Sequence, residues 1–181
     1  MLYKLQLLLI LFIPMLALAQ NTRPDSSKRK KSSNQVQSKY TAVAHQLTLE
    51  AAIELTSRAR AAASSLDKDV SIAILDGSGQ LVMLTKGNGV GPHNTEAARR
   101  KAYTALSTKT PTLMLARSAR ANADTQNLAN LPELLLLGGG YPIWHNGQVI
   151  GGIVVAGGGG PENDHTIAKA ASTAATALLI P

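Results

Sequence analysis

Two tight-turn signatures, each set between short apolar runs, restrict this chain to folds built on antiparallel strands. Val70-Ser71-Ile72-Ala73-Ile74-Leu75 and Gln80-Leu81-Val82-Met83-Leu84-Thr85 flank Asp76-Gly77-Ser78-Gly79, whose residues suit positive φ. Further on, Asn146-Gly147 separates Tyr141-Pro142-Ile143-Trp144-His145 from Gln148-Val149-Ile150-Gly151-Gly152-Ile153, and Asn-Gly is the strongest short hairpin signal. Helical patterns surround the hairpins. Thr48 caps a helix over 49–66 whose expected buried stripe is Leu49, Ala52, Ile53, Thr56, Ala59, Ala63 and Leu66. A glycine-rich loop, 87–92, leads to a second helix capped by Asn94 or Thr95 and running to about Ser107. Thr110-Pro111 opens a third, because proline fits the first helical position. Pro161 opens the last, with Ile167, Ala171, Ala174 and Leu178 as its buried stripe. Four or five strands and four helices in this order predict an α/β domain of the α+β type: one antiparallel sheet with helices packed on it in a single-domain sandwich.

The beginning of the chain is of another kind. Lys4 supplies a positive start, residues 5–18 an apolar core, and Ala17-Leu18-Ala19 the small-residue pattern of a signal-peptidase site, so residues 1–19 are expected to be a signal peptide cleaved after Ala19. A transmembrane anchor is the alternative, but the run is short against the ~20 residues a bilayer requires, and it contains Pro14. Residues 20–44 are rich in Ser, Asn and Gln with few apolar side chains, and are expected to be a disordered linker ahead of a domain at 45–181. Seven of the 18 Lys and Arg precede residue 46, which leaves 11 against 10 acids in the domain. A domain so nearly neutral is not a nucleic-acid-binding surface, and any membrane contact is expected only through the basic linker, where Lys28 to Lys31 cluster. The expected location is outside the cell or in a periplasm.

No cysteine occurs in the chain, which excludes disulfides, thiolate metal sites, thiol nucleophiles and lipid attachment through a lipobox. No two of the four histidines stand at i, i+3 or i+4 spacing, so no zinc motif arises from sequence. His45 lies at the linker edge and His145 beside the turn, both read as exposed, while His165 falls in the first turns of the last helix, either on the surface or at a contact between subunits. His93 stands apart, after Gly87, Gly89, Gly91 and Pro92 and just ahead of the second helix, where binding residues are often placed. On that helix Glu96, Arg99 or Arg100, Tyr103 and Ser107 recur at three- or four-residue spacing, with Ala98, Ala102, Ala105 and Leu106 opposite. Such a face is either an ordinary solvated surface with Tyr103 half-buried, or a ligand site combining imidazole, guanidinium and phenol.

Gly157-Gly158-Gly159-Gly160 is read as a flexible turn rather than a dinucleotide loop, since Glu162 and Asp164 already complement the helix N-terminus behind it. There is no G-x-S-x-G elbow and no carboxylate pair at catalytic spacing.

Asn94-Thr95-Glu96-Ala97-Ala98-Arg99-Arg100-Lys101-Ala102-Tyr103-Thr104-Ala105, followed by Gly138-Gly139-Gly140-Tyr141-Pro142-Ile143 and the hairpin through Ile153, resembles the GlcG/HbpS-like family over about residues 47–179. The resemblance implies a small α/β domain, assembly into homo-oligomers, and, in some members, extracellular binding of heme. Gly138 to Gly140 then resembles a structural bend or close contact. It further implies heme or a related tetrapyrrole as ligand here, with iron taken by His93 or Tyr103, propionates paired with Arg99, Arg100 or Lys101, and His165 as a fallback iron ligand. The implied roles are sequestering heme or reporting it to a partner such as a membrane sensor. Heme degradation or peroxide-type redox chemistry is the enzymatic alternative, and a ligand-free oligomeric accessory protein is a third.

Overall fold

The computed structural model describes residues 39–171. The expected signal peptide, most of the linker, and the stripe positions Ala174 and Leu178 lie outside the described residues.

The elements run α1 (Leu49–Ser64), β1 (Ser71–Asp76), β2 (Leu81–Thr85), α2 (Pro92–Thr108), α3 (Thr112–Ala121), the short α4 (Ala123–Gln126), a 3₁₀ turn (Asn127–Asn130), β3 (Gly140–His145), β4 (Gln148–Ala156) and α5 (Pro161–Ala170). The four strands form one antiparallel sheet in the order β2-β1-β4-β3, so each hairpin lies at one side and β1 joins β4 in the middle. Asn146 at φ 49° and Gly147 at φ 74° give the left-handed pair that a two-residue hairpin of primed type needs. At the other turn the Asp76 carboxylate accepts from the Ser78 and Gln80 amides at 2.8 and 2.9 Å.

Helices cover both faces of the sheet, which explains why β1 and β4 read as continuous apolar runs rather than alternating ones. On one face Ile72, Ile74, Ile143, Ile153, Val155 and Tyr141 pack with Ala52, Leu55, Ala59 and Ala63 of α1 and Ile167 and Ala168 of α5. On the other, Ala73, Leu75, Val154 and Ala156 meet Ala98 and Ala102 of α2. Here the helix lies almost on the backbone of the sheet. A Cβ on Gly152 would come within 2.6 Å of the Ala102 carbonyl oxygen, and one on Gly140 within 2.6 Å of the Lys101 carbonyl oxygen. Pro142 is tolerated because β3 is an edge strand.

Thr48 caps α1 as expected, its hydroxyl accepting from the Ala51 amide at 3.2 Å. The buried stripe of α1 is narrower than the sequence pattern suggests: Leu55 is inside, whereas Leu49, Ile53 and Leu66 are about half exposed. With alanines forming most of the contact, the helix sits close to the sheet and only the centre of the apolar arc is covered. The α2 cap also differs. The helix starts at Pro92 after Gly91 with no side-chain cap, and the Thr95 hydroxyl instead meets Ser71 Oγ at 2.8 Å. At α3, Pro111 occupies the capping position rather than the first helical one.

The polar centre of the fold is a pair that the sequence pattern conceals. Lys101, expected as a propionate partner, is 1% exposed, and its ammonium donates to the Gly138 carbonyl at 2.8 Å, the Val155 carbonyl at 2.7 Å and Asp164 Oδ2 at 3.0 Å. All three N–H groups are thereby used. Asp164 accepts through its other oxygen from the Gly158 amide at 2.7 Å. Breaking one partner of a buried pair leaves an uncompensated charge, so Asp164→Ala is expected to lower stability by about 3–5 kcal/mol in urea unfolding. Lys101→Met combined with Asp164→Leu should recover at least half of that loss, because no charge is then stranded.

Candidate functional site

The expected ligand face of α2 is spread along the helix. His93 is the second residue of α2 rather than part of a free loop, and its exposed imidazole lies over Gly91. Tyr103 is ten residues further on, roughly 15 Å along the axis. Its ring packs half-buried over the β1–β2 turn, close enough that a Cβ on Gly79 would meet it at 3.3 Å. His93 and Tyr103 therefore do not converge on one small ligand atom.

The cations of this helix are occupied by its own fold. Arg100 donates to the carbonyls of Pro132 and Leu134 at 2.8 and 3.1 Å, and the Leu135 amide donates to Thr104 Oγ1 at 2.8 Å. Arg99 pairs loosely with Glu96 at 3.4 Å and Glu133 at 3.8 Å. Together these bonds fasten the segment after the 3₁₀ turn to α2. Lys101 is inside, as described above; of the other two candidate propionate partners, Arg100 is bonded to backbone carbonyls, while the Arg99 side chain is 40% accessible and only loosely paired.

His165, the fallback ligand, faces the sheet. Its Nε2 and the Tyr141 hydroxyl are 2.5 Å apart, the two rings are 4.7 Å apart, and Nδ1 is buried without a partner among the described residues. Burial holds the imidazole below its ordinary value of 6.5 and pushes the Tyr141 phenol up to about 12, so both groups are neutral near pH 7.

The remaining two histidines are brought together, which sequence spacing of a hundred residues did not suggest. His145 closes β3, where it pairs with Gln148 across the turn and is half-buried rather than a free tip; His45 lies in the extended segment before α1. Their ring centroids are 5.1 Å apart at 73°. They stand on one side of a groove of about 400 Å³ between the start of α1 and the β3–β4 hairpin. Leu47 and Ile150, both buried, form its apolar part with Ala51, and Glu50 and Glu54 stand on the α1 side. The only signal for this meeting is the hairpin itself, which carries His145 back toward the helix start. Among the described residues no group of three His, Cys, Asp or Glu could hold a metal ion.

A four-stranded antiparallel sheet with helices on both faces and α2 pressed onto glycines defines a small α/β domain with histidine-bearing edges. Residues 47–173 match the family model described as haem degrading protein HbpS-like, and the chain belongs to that family. A mutant crystal structure of HbpS from Streptomyces reticuli is similar at TM-score 0.69 and 34% identity, covering 74% of this chain and 90% of that one. A crystal structure described as a complex of PduOC with heme is similar at TM-score 0.67 and 28% identity, over 76% of this chain and 98% of that one. The corrinoid adenosyltransferase PduO of Citrobacter freundii is 31% identical over 123 residues, 67% of this chain. This chain spans about a third (36%) of the length of that relative.

The Tyr141–His165 contact carries its own pH signature. Because the folded His165 binds its proton more weakly than the unfolded one, the unfolded state holds more protons as pH falls through 6.5, and stability falls with it. Melting curves between pH 7.5 and 5.5 should show a shallower decline for His165→Gln than for the wild type. An equal decline would assign the pH dependence to other groups.

Proposed function

We propose that this domain binds heme or a related tetrapyrrole as an exported protein, and that it sequesters the ligand or reports it to a partner. The observation that carries the reading is the likeness, over nearly all of the other chain, to a protein whose solved structure is described as a heme complex. Local chemistry agrees with it. An iron porphyrin supplies four nitrogens of its own, and asks of a protein one or two axial donors, an apolar wall and solvent for its propionates. The groove of Leu47, Ala51 and Ile150 beside His45 and His145 has those parts. His93 and Arg99 on α2 offer an accessible imidazole and guanidinium, and form the alternative seat. Bound iron would supply the redox chemistry, and the family description, which names heme degradation, favours that as the second reading.

Self-assembly belongs to the same proposal. The edge strand β2 exposes Leu81 and Leu84, 46% and 40% accessible, and an uncovered apolar edge is a surface that a second copy would protect.

Titrating hemin into the mature protein should give a shifted Soret band saturating near one equivalent; a spectrum of free hemin throughout would refute heme binding. Following the loaded protein under reductant and oxygen separates holding from degradation, since degradation bleaches the Soret band and simple holding preserves it. Export has an independent check. Mass spectrometry of the processed protein should find an N-terminus at Gln20, and retention of Met1 in the membrane fraction would overturn the signal-peptide reading.

A further inference from the structure

We infer that the tetrapyrrole seat is the groove between α1 and the β3–β4 hairpin, with His145 as the axial ligand of the iron and His45 as a second imidazole at its edge. The inference rests on the heme-binding reading and specifies where that ligand sits. Three observations carry it. The first is convergence: two imidazoles a hundred residues apart in the chain meet at 5.1 Å, on the rim of a cavity whose deeper wall is the buried pair Leu47 and Ile150. Its volume of about 400 Å³ falls within the roughly 300–1,000 Å³ of small-molecule sites.

The second is the shortage of donors. A bare divalent cation bound at this rim would have two imidazoles and no third protein ligand, because among the described residues no group of three His, Cys, Asp or Glu is placed to hold a metal ion. A metalloporphyrin needs no third ligand. It also fills an apolar groove, which a hydrated ion does not. The third is rigidity. His145 is the last residue of a paired strand, held opposite Gln148, so its ring is positioned by the sheet, whereas His93 projects from a helix start. The Asn146 side-chain nitrogen lies 3.2 Å from His145 Nε2, and ligation would exchange that contact for the iron.

The acids bias the orientation of the plate. Glu50 and Glu54 line the α1 side, and Glu54 is already paired with Arg58 at 2.6 Å. Like charges repel, so Glu50 would disfavour a ligand carboxylate on the α1 side of the groove.

Hemin titrations of the wild type, His145→Ala, His45→Ala and His93→Ala test the assignment, with far-UV circular dichroism confirming that each variant is folded. His145→Ala should shift the Soret band and weaken hemin by about tenfold or more, and His45→Ala should weaken it by a smaller factor. His93→Ala should match the wild type. Adding free imidazole to His145→Gly should restore the wild-type Soret position, which a merely structural role for the histidine would not allow. Glu50→Gln should tighten hemin about two- to fivefold by removing a like charge.

Four results overturn the inference. If the wild type binds hemin and His145→Ala keeps its spectrum and affinity, the groove is not the seat, while heme binding stands. Loss confined to His93→Ala moves the seat to α2. Micromolar binding of zinc chloride alone, abolished in His45→Ala, would make the rim a site for the bare ion. A wild type that leaves hemin free fails the heme reading itself, and the groove assignment with it.

Discussion

The buried ammonium of Lys101 holds together parts of the chain that lie far apart in sequence. It ties α2 to the Gly138 carbonyl ahead of β3, to Val155 near the end of β4, and to Asp164 on α5, which in turn holds the Gly158 amide of the turn before that helix. Burial pushes the ammonium below its usual value and the Asp164 carboxylate pushes back, so the charge is tolerated only while the cage is complete. Gly139 belongs to the same cage. At φ 112° it is in a conformation that favours glycine, and a Cβ there would come within 2.9 Å of the ammonium.

Once that cage is closed, the distribution of chemistry over the domain follows. α2 is pressed against Gly140 and Gly152, and its arginine Arg100 fastens the segment before β3, which leaves His93 and Arg99 as its accessible imidazole and guanidinium. The opposite face of the sheet is covered by α1 and α5, but α1 covers it with small side chains and a narrow stripe. A groove is therefore left where the helix start, the segment before it and the β3–β4 hairpin come together, and two imidazoles stand at its rim. Under the heme-binding proposal, that groove is the part of the domain that offers both an apolar wall and imidazole donors.

Much of the architecture was legible beforehand because it is written in local chemistry. Asn146-Gly147 and Asp76 to Gly79 specify turns through positive φ and side-chain bonds to nearby amides, Thr48 specifies a cap, and Pro161 marks a helix start. The order of hairpins and helices then leaves few sheets to choose from, and the glycine run at 138–140, which the family resemblance marked as a bend or a close contact, does lie in close contact with Lys101 and Pro161.

What escaped the sequence was the identity of each neighbour across the sheet. Lys101 looks like any surface lysine between Arg100 and Ala102, since its neighbours along the helix say nothing of Asp164, 63 residues away. His145 and His45 each read as solvated, because a spacing of a hundred residues carries no period. The sequence alone determined the strands, their turns, the main helices and the family, since those depend on interactions within a few residues or on ordered motifs, though not the short α4 and the 3₁₀ turn. The tertiary structure alone decided which charges are buried and which histidines meet, because only packing two helical layers onto one sheet brings those side chains within bonding distance.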